Sequence, residues 1–332
     1  GLALAAAIWR LLVEPARGGQ SRLEPGAEEF VIVGERRRPS RGSRRRGAKS
    51  PEHGRENAEQ EVALDAVRAH RVDPHPELVL HQNPREMPLW DAVRYVLRVR
   101  TNVVLIVASA LAYLFFAGVQ TFAVVLMRSR FHLSEAAATA LLIVIGLGAI
   151  AGVVLSGQIA DRLLRRGRLN ARVLVAAVGY IAAALIFLPG LLSGVLAISL
   201  PLFVLAAGAL AAADPPLNAA RLDIMHPALW GRAEGVRTVL YMLSFAIAPL
   251  VFGFVSDQLG GHGARNAAIS GGSANGSAMA ETFLIMLVAV AVAGISLLWA
   301  LRTYPRDVAT ASASVEATFG TAERGAGAPD EL

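Results

Sequence analysis

Six long apolar runs, separated by polar segments, follow one another through the last two thirds of the chain. They cover residues 103–127, 136–160, 171–189, 195–213, 236–256 and 281–301. Each run is close to the roughly 20 residues that a helix needs to cross the hydrocarbon core of a bilayer. Lipid offers an open strand edge no hydrogen-bond partners, and the runs do not alternate as barrel strands do. The pattern therefore predicts an all-α membrane protein with a six-helix transmembrane bundle over residues 103–301.

Shorter or more polar segments flank the predicted bundle. Residues 1–9 are apolar but too few to cross a bilayer, so we expect the end of a truncated transmembrane helix and a chain that is a fragment. Residues 10–86 include the run "RRRPSRGSRRR" at 36–46. Binding of nucleic acid or anionic lipid is one interpretation, but the interspersed charge favours a disordered basic cytoplasmic linker that binds no nucleic acid. Residues 302–332, rich in Ala, Ser, Gly and Glu, are predicted to be a disordered cytoplasmic tail.

The segment "MPLWDAVRYVLRVRTN" at 87–102 has a different pattern from the rest of the linker. On a helix, its apolar side chains lie near one face, which holds Leu89, Val93, Val96 and Leu97. Its arginines, Arg94 and Arg98, lie on another face. This pattern predicts an amphipathic helix in the membrane interface, with Trp90 as an anchor.

Composition supports a membrane protein and excludes several kinds of site. The chain is 54% hydrophobic with a mean hydropathy of +0.48, and its polar residues are concentrated in blocks. The absence of cysteine excludes disulfides and thiolate metal sites. The sequence has neither a His/Asp/Glu cluster with metal-ligand spacing nor a phosphate-binding Gly loop with its Lys, so we predict no metal and no cofactor.

The distribution of arginine predicts the orientation of the bundle. Thirteen arginines flank the runs on one side and three on the other. Basic residues accumulate in cytoplasmic loops. We therefore expect a multi-pass protein of the plasma (inner) membrane, with the linker and the C-terminus in the cytoplasm.

The loop between the second and third runs contains "GQIADRLLRRGR" at 157–168. Its Gly157, Asp161, Arg162, Arg165 and Arg166 resemble the signature cytoplasmic loop of the major facilitator superfamily. A complete member of that family has twelve spans in two halves of six, joined by a long cytoplasmic linker. The resemblance implies that this chain is the C-terminal half of a twelve-helix transporter, and that the missing N-terminal half is its partner.

The motif departs from the family signature at two positions. Ile159 replaces a Leu, which is a mild change, and Leu164 replaces a Gly, which implies a less tight turn. The second change fits the weaker copy of the motif in the second half of family members. The resemblance implies that Asp161 and Arg162 belong to a conformational latch, in which a carboxylate caps a neighbouring helix and pairs with an arginine.

Small residues recur every four positions in the second run. Gly148, Gly152, Ser156 and Ala160 fall on one helix face. Such a face lets a neighbouring backbone approach closely. The spacing predicts tight packing, and a sliding surface in a moving bundle is the functional interpretation of the same face.

Aromatic and amide residues in the first run are candidates for the lining of a substrate cavity. Tyr113, Phe116 and Gln120 share one helix face, and Tyr241 and Ser244 in the fifth run are similar candidates. Packing of that face against a neighbouring helix is an equally good interpretation.

An acid at the end of the fourth run, Asp214, has two interpretations. An ionisable residue at this depth is a candidate for proton coupling. The following Pro215 and Pro216 favour Asp214 as the N-cap of a short helix over 215–225. Beyond it we expect interfacial ion pairs among Arg221, Asp223, Glu234 and Arg237.

The fifth run contains Pro249, which removes a backbone hydrogen bond and predicts a helix kink. Gly253, four residues later, allows close approach of a neighbouring helix. The match to the Gly-Pro motif of drug antiporters is weak because Ala248 stands where that motif has its Gly.

The resemblance implies a secondary active transporter of a small solute that works by alternating access, and not an enzyme. H⁺ as the coupling ion comes from the resemblance alone. Efflux of drug-like compounds and uptake of a sugar, another metabolite or a lipid both remain open. A different class, a non-transporting scaffold or signalling protein whose linker binds anionic lipid, also has spans and a basic linker, but it does not need the motif loop.

Overall fold

The structure is a computed structural model that describes residues 72–82, 84, 86–259 and 276–326. The chain divides into two units, Gly1–Ala58 and Glu59–Leu332, and every described residue belongs to the second. The predictions for residues 1–71, which include the truncated span and the Arg-rich part of the linker, lie outside the described residues.

The described part of the chain is helical and contains no strand. Its helices are α1 (Leu89–Arg98), α2 (Arg100–Phe131), α3 (Glu135–Arg165), α4 (Ala171–Leu192), α5 (Leu196–Ala211), α6 (Asp214–Asp223), α7 (Trp230–Gln258), α8 (Gly276–Ala300) and α9 (Tyr304–Ala326). Short 3₁₀ turns precede α1 and α7, at Pro76–Leu78 and Pro227–Leu229. Six segments are long and apolar enough to cross a membrane: α2, α3, α4, α5 with α6, the second 3₁₀ turn with α7, and α8. The predicted all-α bundle with six spans is confirmed.

The helices extend beyond the apolar runs that predicted them. α7 begins at Trp230, six residues before the predicted start of the fifth span. Its polar first turns contain Glu234 and Arg237, which lie three residues apart and form an ion pair along the helix. Hydropathy alone does not detect this part of the helix.

The core is a cluster of aromatic rings contributed by four spans. Phe115 of α2 packs its ring against Phe187 of α4 at 5.4 Å and against Phe283 of α8 at 6.1 Å. Phe252 of α7 lies 5.2 Å from Phe283 and stacks on Phe122 of α2 at 5.9 Å. Offset and edge-to-face pairs of this kind fix the relative positions of the helices that carry them.

The backbones of α3 and α5 approach each other closely at their glycines. A Cβ atom added at Gly148 or Gly152 would collide with the backbone of Val204 or Gly208, and one added at Gly208 would lie 2.9 Å from the carbonyl oxygen of Gly148. Ser156, one turn farther along α3, is buried. The tight packing predicted from the four-residue spacing is confirmed.

For α1, the placement in the membrane interface stays a prediction. The helix forms within 87–102, but its buried residues are Ala92 and Val96, whereas Leu89 and Leu97 are 65% and 48% exposed. Val96, predicted to share a face with Leu89 and Leu97, thus lies against the bundle beside Ala92, and the two leucines lie on the outer side. Burial raises the pKa of Tyr95 to about 12, and its hydroxyl donates a hydrogen bond to the carbonyl of Leu78.

The prediction of a disordered tail is wrong for residues 304–326, which form α9. Its small side chains pack closely, and Val308, Ala309 and Ser314 are buried. A composition rich in Ala, Ser and Thr is shared by disordered tails and by closely packed helices. Composition alone therefore could not distinguish a disordered tail from α9. Burial also raises the pKa of Asp307 in this helix.

The end of the predicted disordered linker is also ordered. The backbone N–H of His75 donates to Thr310 Oγ1 at 2.9 Å, and that of Leu80 donates to Ser314 Oγ at 3.0 Å. Residues 72–82 therefore lie along α9, because hydroxyls on the helix surface satisfy backbone donors that would otherwise need water.

A buried ion pair connects three helices and corrects the prediction for Asp223. Its carboxylate binds the guanidinium of Arg172 at the start of α4 and accepts a hydrogen bond from the hydroxyl of Tyr304 in α9. All three residues are at most 3% exposed. Asp223 therefore belongs to the interior, whereas Arg221, Glu234 and Arg237 form ion pairs with one another as expected.

We predict that Gly152→Ala destabilises the bundle by about 1–3 kcal/mol, because its methyl group would overlap the backbone of Gly208. Gly146→Ala is the matched control, since nothing lies within 4 Å of a Cβ at that position. Alanine is the better helix former, so this control is expected to be neutral or stabilising. Thermal unfolding in detergent measures both variants, and equal midpoints for the two would contradict the backbone contact.

Candidate functional site

A cavity of about 550 Å³ lies among the spans and receives side chains from α2 to α8. Most of its lining is aliphatic or aromatic. The aromatic members are Tyr113, Phe116, Tyr180, Phe187, Phe203, Tyr241 and Phe283. A concave, largely apolar cavity with a few polar groups is the usual form of a small-molecule site.

The structure brings four of the five predicted lining residues together. Tyr113, Phe116 and Gln120 enter the cavity from α2, and Tyr241 enters from α7. Tyr113 lies edge-on to Tyr241, with ring centroids 4.2 Å apart. Ser244 is half-buried on α7 and is not among the lining residues.

Asp214 supplies the carboxylate of the cavity, and its predicted role as an N-cap is wrong. The N-cap position of α6 is Ala213, and no side chain caps the helix there. Ala213 already has helical backbone angles, so Asp214 lies inside the helix and its carboxylate is directed elsewhere. The hydroxyl of Tyr113 donates a hydrogen bond to Asp214 Oδ2 at 3.0 Å.

Charged groups continue from the cavity along α6 and α7. The guanidinium carbon of Arg237 lies 5.9 Å from the ring centroid of Tyr241, within the range of a cation–π interaction. Glu234 accepts a hydrogen bond from Arg237 Nε at 2.8 Å and lies 3.4 Å from Arg221 Nη2. Both arginines are thus paired with Glu234, which leaves Asp214 as the acid that faces the cavity.

Sequence reasoning missed Tyr180 of α4, which lines the cavity and is 1% exposed. Its hydroxyl has no hydrogen-bond partner within the described part of the chain. Tyr180 is the only tyrosine of the third apolar run, so an isolated polar group in an otherwise aliphatic span was the available signal. No such signal marked Phe187, Phe203 and Phe283, because the sequence around a phenylalanine in a span does not tell whether its ring lines a cavity or packs in the core.

The predicted latch motif occupies the C-terminal end of α3. Gly157 has open space beside it, Asp161 is half-buried, and Arg162, Arg165 and Arg166 are exposed. Among the residues that the structure describes, neither Asp161 nor Arg162 has a hydrogen-bond or ion-pair partner. The part of α3 that lines the cavity lies earlier in the helix, within residues 142–149, so the motif is separate from it.

Pro249 and Gly253 lie within α7, which is assigned as one helix from Trp230 to Gln258. Gly253 is buried beside Phe252, whose ring belongs to the aromatic core. The kink at Pro249 stays a prediction. The described residues include no group of three or more His, Asp or Glu side chains suited to a metal ion.

Comparison with known proteins gives a family and a similar structure. The profile of the Major Facilitator Superfamily matches residues 1–204. The chain is similar to the crystal structure of a bacterial homologue of the human lysosomal transporter Spinster, in an inward-facing and occupied conformation, at 18% identity and a TM-score of 0.49. The match covers 62% of this chain and 50% of the other, so this chain spans about half the length of that structure. No curated protein matches the chain.

We predict that a cysteine at Gln120, which is exposed and lines the cavity, reacts rapidly with a water-soluble thiol reagent. Ser256→Cys is the control, because Ser256 is 1% exposed on α7 and should react far more slowly. This chain has no cysteine of its own, so each introduced thiol reports one position. Labelling is followed by mass spectrometry, and a rate for Gln120→Cys as slow as that of Ser256→Cys would show that water does not reach the cavity.

Proposed function

Because the chain belongs to the Major Facilitator Superfamily, we propose that it forms the second six-helix half of a secondary active transporter. Membership places it in a family of transporters rather than of enzymes, and its six spans make it a multi-pass membrane protein. The proposed activity is movement of a small solute by alternating access, with the cavity as the solute site.

One observation carries this proposal: a single carboxylate lines an otherwise uncharged cavity. Among the described lining residues, Asp214 is the only one with an ionisable acid or base other than tyrosine. An ionised carboxylate is costly in a low-dielectric environment unless it is paired. Asp214 has a tyrosine hydroxyl as its hydrogen-bond partner, and Arg237 and Arg221 act on its charge from beyond ion-pair distance, so a proton or a positively charged group on the solute would relieve the remaining cost.

We assign H⁺ as the coupling ion on this basis. Protonation of Asp214 neutralises the cavity, and loss of the proton restores a charge that favours a solute with a cationic or hydrogen-bond-donating group. The two states differ in their affinity for the solute, which is what coupling requires. The neighbouring charges, Arg221, Glu234 and Arg237, set the local field but compensate one another in part.

The lining favours a solute with a substantial apolar surface. Rings and aliphatic side chains surround the cavity, and the polar groups are concentrated near Asp214 and Gln120. A drug-like compound fits this distribution better than an unmodified sugar, whose hydroxyls would lack partners. Efflux of such a compound is the proposed activity, and uptake of a metabolite or lipid is the alternative.

The second part of the proposal is that an N-terminal half pairs with this bundle. α3 and α7 carry large apolar side chains that remain exposed, among them Leu147 at 59% and Val239 at 67%. Asp161 and Arg162 of the latch motif lack partners among the described residues. A second bundle packed against these helices would cover the apolar side chains and provide partners for Asp161 and Arg162. The arginine distribution predicts that this end of α3 lies in the cytoplasm.

We predict that Asp214→Asn in the full protein reduces transport driven by a pH gradient at least tenfold, because an amide cannot exchange the proton. Exchange of solute without a gradient should persist, since the cavity keeps its shape. Proteoliposomes with an internal pH dye and a panel of fluorescent compounds that includes ethidium measure both activities.

Glu281→Gln is the matched control for Asp214→Asn, because Glu281 is an exposed acid on α8 outside the cavity. It should leave pH-driven transport within about twofold of the wild-type rate. An Asp214→Asn protein with unchanged coupling would remove Asp214 from the mechanism, and loss of coupling in both variants would point to general damage.

We predict that Asp161→Asn reduces the rate of transport in the full protein but leaves membrane insertion intact, because the residue is half-buried at a helix end and outside the core. Asp161→Glu, which keeps the carboxylate, should retain more activity than Asp161→Asn. Transport kinetics and membrane yield are compared, and an unchanged rate for Asp161→Asn would refute the latch.

A further inference from the structure

α1 is fixed to the bundle along one side. Ala92 and Val96 are fully buried, and Asn102 Nδ2 donates a hydrogen bond to the carbonyl of Val96. Just before the helix, Arg232 Nη1 of α7 donates to the carbonyl of Met87 at 2.7 Å. The helix is therefore held in a defined orientation, and its opposite face is displayed outward.

The outward face of α1 has a shallow, open space of about 520 Å³ between its own side chains, which we call the groove. The groove is lined by Trp90, Val93, Arg94, Leu97 and Arg98. Trp90 is 81% exposed, which is unusual for the largest apolar side chain in a helix that is otherwise anchored. A face of this kind needs a covering surface.

Two cations border this groove one helical turn apart. Arg94 and Arg98 are exposed, and neither has a hydrogen-bond or ion-pair partner among the described residues. Arg100 follows at the start of α2, and Asp91 is the one acid within α1. The groove thus combines a net positive charge with apolar walls.

The position of the groove identifies the covering surface. Val99 alone separates α1 from α2, which is the first membrane span, so the groove lies at the depth of lipid headgroups. Exposed Trp beside Arg is typical of that zone, and the cytoplasmic leaflet, where the arginine distribution predicts this end of α2 to lie, carries anionic lipid. Phosphate complements the two guanidinium groups, and acyl chains complement Trp90 and Leu97.

We propose that this groove binds an anionic phospholipid. Arg94 and Arg98 hold the headgroup phosphate with charge-assisted hydrogen bonds, and Trp90 and Leu97 contact the glycerol backbone and the first methylenes. This inference does not depend on the solute or on proton coupling.

The test is quenching of Trp90 fluorescence by brominated lipids in nanodiscs that contain the full protein. The Trp90 signal is defined as the difference between the wild-type protein and Trp90→Phe. Brominated phosphatidylglycerol should quench it at a low mole fraction, and brominated phosphatidylcholine only at a much higher one. Equal quenching by the two lipids would overturn the proposal.

Variants of the two arginines test the headgroup contact. Arg94→Ala with Arg98→Ala should raise the mole fraction of phosphatidylglycerol needed for half-maximal quenching about 30-fold, from the contribution of two arginines near a membrane surface. The double variant Arg94→Gln with Arg98→Gln keeps long side chains and should show the same shift as the alanine pair. The same shift in both would exclude a folding defect of the alanine pair as its cause. Unchanged quenching in the glutamine pair would refute the phosphate contact.

The matched control is Arg302→Ala with Arg306→Ala. These two arginines are also exposed, four residues apart, and adjacent to a span, and the exposed Trp299 lies three residues before Arg302, but they are not on α1. Their removal should change half-maximal quenching less than threefold. An effect equal to that of the α1 pair would mean that general surface charge, and not the groove, attracts the lipid.

Discussion

The backbone contact between α3 and α5 sets the geometry on which the rest of the bundle depends. Gly148 and Gly152 allow α5 to approach so closely that main-chain atoms, rather than side chains, form the interface. In lipid, where no hydrophobic force draws helices together, such close packing is a principal source of association. The residues of α3 and α5 that line the cavity flank this contact, so its tightness determines how far apart those walls stand.

The polar groups of the bundle are divided between two places with different roles. Arg172, Asp223 and Tyr304 satisfy one another in a buried site that joins α4, α6 and α9, and breaking such a set leaves an uncompensated charge. Asp214, nine residues earlier on the same helix, faces open space and has a hydroxyl as its partner. One helix thus carries a carboxylate that is fixed by its partners and a carboxylate that remains available to a proton or a solute.

The spans were predictable from sequence because hydropathy is a local property that bilayer thickness selects directly. The role of Asp214 was not, because a cap and a cavity acid share the same local sequence. The choice between them depends on Tyr113, which is 101 positions away in the chain. α9 was missed for a related reason: its small residues have no hydropathy signal, and its contacts are with distant parts of the chain, residues 72–82 through Thr310 and Ser314 and Asp223 through Tyr304. The packing of Gly148 and Gly152 was predictable because its cause, the absence of a side chain, is visible in the sequence.

The attachment of residues 72–82 to α9 changes where mechanical load enters the bundle. A pull on the chain upstream of Val72 would reach α9 through Thr310 and Ser314, and α7 through Arg232, before it reached the covalent start of α2. The C-terminal helix α9 would then carry part of any force that the upstream polypeptide exerts on the bundle. A truncation after Leu301, harmless if that region were a mere tail, would transfer the load to α1 and to the helix that carries Tyr113.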